Sequence, residues 1–168
     1  MMQIFWVEGV QPGRLGFSAR PRANDRLDDE LRGARSKGVD VLVSLLEASE
    51  ASELGLSDED DAVVRAGLDF WSFPIPDRQP PEDTEAADRF AQRLHSAVMS
   101  GKGVVVHCRM GIGRSSLMAG TVLVLSGATS DEAWARLSRA RGTVVPDTFV
   151  QKTWLDEFAR RRHHAVGL

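Results

Sequence analysis

Apolar positions along the chain alternate between two spacings, and the switches divide it into short strands and amphipathic helices. Residues 3–7 and 15–19 read as short strands joined through Gln11-Pro12-Gly13, a turn signal. Asn24 or Asp25 can cap a helix that puts Leu27, Leu31 and Ala34 on one face, with Gly38 as its stop. Asp40 to Leu46 reads as a buried strand, a polar helix is expected over about 58–66, and Leu68 to Ile75 is a second strand candidate. Pro80-Pro81 breaks the chain before the clearest helix, where Ala87, Phe90, Ala91, Leu94, Ala97 and Val98 recur at i, i+3, i+4 spacing. Gly101 and Gly103 end it, and Val104-Val105-Val106 is a short strand apolar at every position. A helix after Gly113 runs through Leu117, Val122 and Leu125 to Gly127. Thr129 with Glu132 makes a capping box for the next, which ends at Gly142. The last starts near Asp147 and carries Val150, Trp154 and Phe158 at i, i+4, i+8.

Strands alternating with helices predict an α/β fold, a single domain over 1–168 whose central, mostly parallel, twisted sheet has helices on both sides. At 168 residues and 42% hydrophobic the chain suits one core and needs no disulfide or metal staple. The longest apolar runs, Ile4 to Val7 and Val122 to Leu125, are far short of a membrane span. Met-Met-Gln-Ile-Phe-Trp at the N-terminus lacks the basic region of a secretory signal, and one cysteine fits a reducing cytoplasm. A net charge of −3 argues against a general nucleic-acid binder, and one Cys with four His offers no metal-ligand cluster. The charge is uneven: residues 1–84 hold 9 basic and 17 acidic side chains, residues 85–168 hold 12 and 7. Positive surplus in the second half can attract an anionic substrate, although solvated helix faces give the same pattern.

The single cysteine lies in His107-Cys108-Arg109-Met110-Gly111-Ile112-Gly113-Arg114-Ser115-Ser116, directly between the apolar strand and a helix. A loop there turns backbone N–H groups and the positive end of the helix dipole toward its hollow, a nest for a tetrahedral oxyanion. The two glycines permit the tight path, so Arg109 through Gly113 are candidate phosphate-binding residues. Arg114 has the planar fork that binds phosphate through two hydrogen bonds. The same positive field favours Cys108 as a thiolate, the nucleophilic form, and Ser115 offers a hydroxyl to stabilise it. Cys-x5-Arg alone arises by chance in roughly one such chain in nine, but adding His107, Gly111 and Ser115 lowers that to the order of one in 50,000.

This loop resembles the His-Cys-x5-Arg-Ser/Thr signature of the protein-tyrosine phosphatase superfamily, nearest to its small, dual-specificity-like branch with bacterial members. The resemblance covers roughly 4–160, with only the loop individually diagnostic, and implies one phosphatase-like catalytic domain. It implies a cysteinyl-phosphate mechanism without metal or cofactor: Cys108 attacks phosphorus, Arg114 holds the phosphoryl oxygens and Ser115 helps expel the thiolate. In the family an Asp on a mobile upstream loop is the general acid. Phe73-Pro74-Ile75-Pro76-Asp77-Arg78 resembles that loop, 31 residues before the cysteine counted from Asp77, which would also be base for the attacking water. Asp83, beyond the Pro-Pro break, and Asp69, inside a strand, are weaker rivals, and a turn role for Asp77 is the alternative.

Gln151 resembles a downstream water-positioning glutamine of some members, against the simpler reading of a solvated helix residue. His107 can orient the loop or simply pack, and Glu47 and Glu50 can support it by ion pairs, although charged loop residues usually do nothing so specific. Arg160-Arg161-Arg162-His163-His164 suits the end of a helix dipole. Ser116 departs from the family's frequent glycine, and Met110 and Ile112 stand where phosphoinositide-specific relatives carry lysines. The expected function is hydrolysis of phosphotyrosine, with phosphoserine or phosphothreonine open, in protein or peptide substrates. No nucleic-acid or membrane partner is expected. A phosphate-recognition module with little turnover, a phosphatase of a small metabolite or lipid, and a sulfur-transfer or arsenate-reducing enzyme are the competing classes.

Overall fold

The computed structural model describes residues 1–166. The chain runs β1 (Phe5–Trp6), β2 (Arg14–Ala19), α1 (Leu27–Ser36), β3 (Val41–Ser44), α2 (Ala48–Glu53), α3 (Glu59–Arg65), β4 (Asp69–Ser72), α4 (Thr84–Met99), β5 (Gly103–Cys108), α5 (Arg114–Leu125), α6 (Ser130–Arg141) and α7 (Phe149–Val166). All five strands share one sheet in the order β1-β2-β5-β3-β4. The edge pair β1–β2 is antiparallel and the other pairings are parallel. Registers of Ala19 with Cys108, His107 with Ser44, and Ser44 with Ser72 align the carboxyl ends of four strands. Loops leaving those ends therefore meet at one edge, where α/β sheets place their ligands.

β5 fills the slot between β2 and β3, and all six of its residues are buried. Val104 and Val106 join the core under α4, α5, α6 and α7, while Val105 faces the second core with α1 and α3. Burial on both faces is why this strand reads as an unbroken apolar run. α5 is likewise buried except at Leu125. A Cβ on Gly120 would lie 2.8 Å from Leu155 Cδ2, so the glycine sets how closely α5 and α7 pack.

Several expected boundaries move. Only Phe5–Trp6 of the first strand forms the ladder, although Val7 N still reaches Leu15 O at 2.9 Å. β3 and β4 stop at Ser44 and Ser72, although Phe73 N and Ile75 N still reach Ser44 O and Leu45 O at 2.9 and 3.0 Å. Pro74 and Pro76 have no N–H with which to continue the ladder. Neither Asn24 nor Asp25 caps α1; Asn24–Arg26 form a 3₁₀ turn ahead of it. α7 begins at Phe149, and its buried face carries Gln151, Trp154, Leu155 and Phe158, leaving Val150 exposed. Trp154 and Phe158 of the expected i, i+4, i+8 face are buried, and Gln151 takes the inward place expected for Val150. α2 was not expected at all. The Thr129–Glu132 capping box is present, with bonds of 3.1 and 2.9 Å.

Gly120→Val forces α5 and α7 apart, and overpacking of this kind costs about 1–3 kcal/mol. Calorimetry should show a thermal midpoint lower by several degrees. An unchanged midpoint would mean the two helices are not in close contact at Leu155.

Candidate active site

Cys108 ends β5 and Arg114 opens α5, so residues 109–113 form a strand-to-helix loop. Gly111 has φ +69°, and a Cβ there would lie 2.5 Å from Ala19 N, so no other residue fits unstrained. A Cβ on Gly113 would run into Asp147 and Gln151. Every loop carbonyl has a donor from elsewhere. Arg20 N reaches Arg109 O at 3.3 Å, Arg141 Nη2 and Nε reach Met110 O and Gly111 O at 3.4 and 2.9 Å, and Ser116 Oγ bonds Ile112 O and Gly113 O. None of the amides of 109–113 donates to a protein acceptor among the described residues. Carbonyls tied back and amides left over make a nest for an anion.

Cys108 is buried, and its Sγ lies 3.2 Å from Ser115 Oγ, a hydroxyl placed to donate to a thiolate. Arg114 is 1% exposed. Its Nη1 donates to Glu50 Oε2 at 2.8 Å and Ile75 O at 2.9 Å; its Nη2 donates to Glu50 Oε1 at 2.8 Å and Asp77 Oδ1 at 3.0 Å. Burial alone works against the guanidinium's charge, but the bonds and charges of Glu50, Cys108 and Asp77 outweigh it and raise its pKa. Burial likewise pushes the Glu50 carboxyl up, and Arg114, Arg109 and the Glu47 amide more than reverse this, leaving it below the ordinary range. Glu50 thus holds the guanidinium plane by a bidentate pair, from the first turn of the helix the sequence did not announce. Glu47 is exposed and takes part through its amide, 3.4 Å from Glu50 Oε2.

Asp77, Arg78, Cys108, Met110, Gly113, Arg114, Asp147 and Gln151 line a cleft of about 110 Å³. Its acid-loop wall is tied to the start of α7. Arg78 Nη1 is 3.4 Å from Asp147 Oδ2, Thr148 Oγ1 donates to Arg78 O at 3.3 Å, and Gln151 Nε2 donates to Gln79 O at 3.4 Å. Gln151 is fully buried, not solvated, and its Oε1 has no partner. The rivals to Asp77 are elsewhere: Asp83 caps α4 by accepting from Ala86 N, and exposed Asp69 pairs with Lys102. Arg109 turns its side chain outward to Glu50 at 3.1 Å, so only its backbone belongs to the nest. A larger cleft, about 880 Å³, lies at the opposite end of α5 among residues 124–131 and 156–164, away from Cys108. No group of three His, Cys, Asp or Glu is placed to hold a metal among the described residues, and no helix there is long and apolar enough to cross a membrane.

Three supports escaped the sequence reading: Glu59, Arg141 and the bonding role of Ser116. His107, expected either to orient the loop or to pack, is fully buried between Glu59 Oε1, 2.5 Å from Nε2, and the Cys108 carbonyl, 3.3 Å from Nδ1; Glu59 sat in a segment read as a polar helix. Arg141 was one basic residue among many, yet it holds two loop carbonyls and stacks 4.3 Å over the Phe5 ring. Ser116, read only as a steric departure, bonds two more. The Glu132–Thr129 signature was the model for finding Glu50: a Glu three residues after a helix start, with Glu47 in the cap position. In the basic C-terminal cluster, Arg161 and Arg162 reach Asp88 on α4 at 3.2 and 3.8 Å.

Residues 16–128 match the family model described as polymorphic toxin system, DSP-PTPase phosphatase. Cyclin-dependent kinase inhibitor 3 of Mus musculus is 28% identical over 152 residues, 86% of this chain and 71% of the mouse protein. Kinase associated phosphatase, solved with its catalytic site cysteine substituted by serine, shares the fold at a TM-score of 0.82 and 20% identity, with 95% of both chains covered. Tk-PTP in its active form aligns at a TM-score of 0.73 and 30% identity, covering 89% of this chain and 94% of that one.

Removing one partner of a buried ion pair costs about 3–5 kcal/mol, so Glu50→Ala should destabilise the chain by that order. Because the Glu50 pKa is lowered on folding, its contribution is present above the ordinary carboxylate pKa and is lost as pH falls through the folded value. Urea unfolding of the wild type and Glu50→Gln should therefore differ most near about pH 7 and converge toward about pH 3. A gap independent of pH would show that the charge of Glu50 is not what counts.

Proposed function

Because the chain belongs to the DSP-PTPase phosphatase family, we propose that it hydrolyses phosphotyrosine, and phosphoserine or phosphothreonine where the cleft admits them, through a cysteinyl-phosphate intermediate. The observation that carries this is the nest around Cys108: five carbonyls tied back, five amides unclaimed, and a buried guanidinium above.

The phosphoryl group of the substrate enters the nest and takes the donors left to it, the loop amides with Nε and the outer Nη2 hydrogen of Arg114. Taking that hydrogen displaces Asp77 from Arg114, to which it bonds at 3.0 Å without substrate. The freed carboxylate, half exposed where it lines the cleft, takes up a proton from solvent and so becomes the acid for the ester oxygen of the substrate. Cys108 Sγ attacks phosphorus, the P–O bond to the leaving group breaks, and Asp77 gives its proton to the departing oxygen. Gln151 then positions a water through its unpartnered Oε1. Asp77, now a carboxylate, takes a proton from that water as it attacks phosphorus, the S–P bond breaks, and inorganic phosphate leaves. Ser115 donates to the returning thiolate across 3.2 Å. Donors fixed before the reaction, toward charge that develops during it, are the main source of acceleration.

The test is hydrolysis of p-nitrophenyl phosphate in EDTA. Activity should survive chelation and vanish in Cys108→Ser, which still binds phosphate because the amides and Arg114 remain; full activity in that variant would overturn the mechanism. Asp77→Asn should slow turnover of phosphotyrosine peptide by about 10²-fold or more, and p-nitrophenyl phosphate much less, since p-nitrophenolate leaves unaided. Equal losses on both substrates would remove Asp77 as the acid.

A further inference from the structure

A buried ionisable pair takes no part in the chemistry above. His107 precedes Cys108 on β5, and Glu59 opens α3, which packs with α1 on the opposite face of the sheet from α5. His107 is fully buried and Glu59 is 3% exposed. The first turn of α3 carries three acids, Glu59, Asp60 and Asp61, and the last two are exposed. Those two serve the helix dipole from solvent, so the dipole does not account for a buried Glu59.

The contacts of His107 fix how many protons the pair holds. Its Nδ1 lies 3.3 Å from the Cys108 carbonyl oxygen, and its Nε2 lies 2.5 Å from Glu59 Oε1. A carbonyl oxygen only accepts, so Nδ1 carries one proton, and the short Nε2–Oε1 contact holds a second. Charge gives the same count. A single proton would leave the pair with a net negative charge out of water, whereas two make it neutral. No other charged side chain bonds to either partner among the described residues, and the strand neighbours of His107 are the buried, uncharged Ser18 and Ser44.

The consequence lies in the loop. The carbonyls of residues 109–113 are held by donors that always carry their protons: a backbone amide, the Arg141 guanidinium and the Ser116 hydroxyl. The Cys108 carbonyl is held by an imidazole, which has one proton for two nitrogens when neutral and therefore depends on what Nε2 meets. The Cys108–Arg109 peptide is trans, so its N–H points opposite to its C=O. Holding the oxygen at His107 turns the Arg109 amide, the first of the five unclaimed ones, away from His107 and leaves it for the anion.

We propose that Glu59 is a positioning residue for the nest: by sharing a proton with His107 Nε2 it keeps Nδ1 a donor to the Cys108 carbonyl, and so sets the first amide that binds the phosphoryl group. The proposal rests on the phosphatase reading above for the identity of the anion, and its test does not use turnover.

Proton count is read from ¹⁵N spectra of wild-type protein labelled at histidine, with the His107 signals identified by their loss in His107→Gln. Nδ1 should carry a proton at about pH 8, above the ordinary imidazole range, and a bare Nδ1 overturns the proposal. The nest is read by calorimetric titration with inorganic phosphate and by the ratio of Cys108 alkylation rates with iodoacetate and iodoacetamide, since the anionic reagent draws on the loop amides and the neutral one does not. Glu59→Leu should weaken phosphate binding by about tenfold or more, the worth of one hydrogen bond to a charged group, and lower the ratio with it. Glu59→Gln should stay close to wild type, because its amide N–H donates to Nε2 and leaves the proton on Nδ1. A lower thermal midpoint in Glu59→Leu with phosphate affinity and ratio unchanged would make Glu59 merely structural and overturn the proposal, as would a Glu59→Gln variant as weak as Glu59→Leu. If Glu59→Leu does not fold, His107→Gln decides, since it still reaches Glu59 but offers the Cys108 carbonyl no donor: the same loss of phosphate supports the proposal, and wild-type affinity overturns it. A wild type that binds phosphate but does not turn over p-nitrophenyl phosphate removes the phosphatase reading alone; one that binds no phosphate removes both.

Discussion

A guanidinium removed from water must be neutralised where it lies, and around that requirement the whole site is arranged. Arg114 opens the most buried helix of the fold, and its charge is held by two parallel bonds to Glu50. Such a pair adds little net stability against an apolar alternative, but its geometry is rigid and its rupture costly. It explains why a six-residue helix, α2, exists between β3 and α3: it delivers one carboxylate at the right height. It explains equally why the chain after β4 must pass close enough for Ile75 to offer its carbonyl to the same guanidinium. Asp77 follows two residues later and inherits its position from that contact.

The loop after Cys108 follows a similar logic. Its donors come from the segment after β2 (Arg20), from the end of α6 (Arg141) and from the first turns of α5 (Ser116 and Leu117). The local sequence supplies glycines that allow the path, but the path itself is imposed by tertiary partners. The shape of the loop is thus a property of the assembled sheet and helices rather than of its own ten residues.

This division decides what was legible in the sequence. β5 and α5 could be read from Val104-Val105-Val106 and the glycines around the cysteine, because burial on all sides leaves an unambiguous apolar signal. α2 could not, since Ala48–Glu53 has no apolar stripe and its one buried side chain is a charged one. Glu59 was hidden for the same reason: a buried acid looks like a solvated acid until its partner, His107, is placed in space. Gln151 shows the reverse error, a polar residue assigned to water that fills a buried position at the start of α7, on the same face as Trp154 and Phe158. Cysteine, arginine and the acid loop carry their spacing in the chain; the partners that hold Arg114, His107 and Gly111 are 64, 48 and 30 residues removed and carry none.

Arg141 joins two structures that seem unrelated, the loop carbonyls of Met110 and Gly111 and the aromatic face of Phe5 on the edge strand β1. A sheet edge is where another polypeptide can add by backbone pairing, and this edge is mechanically connected to the nest. Through Arg141 the short first strand and the loop after Cys108 share one side chain, so neither can shift far from the other without giving up a hydrogen bond or an aromatic contact.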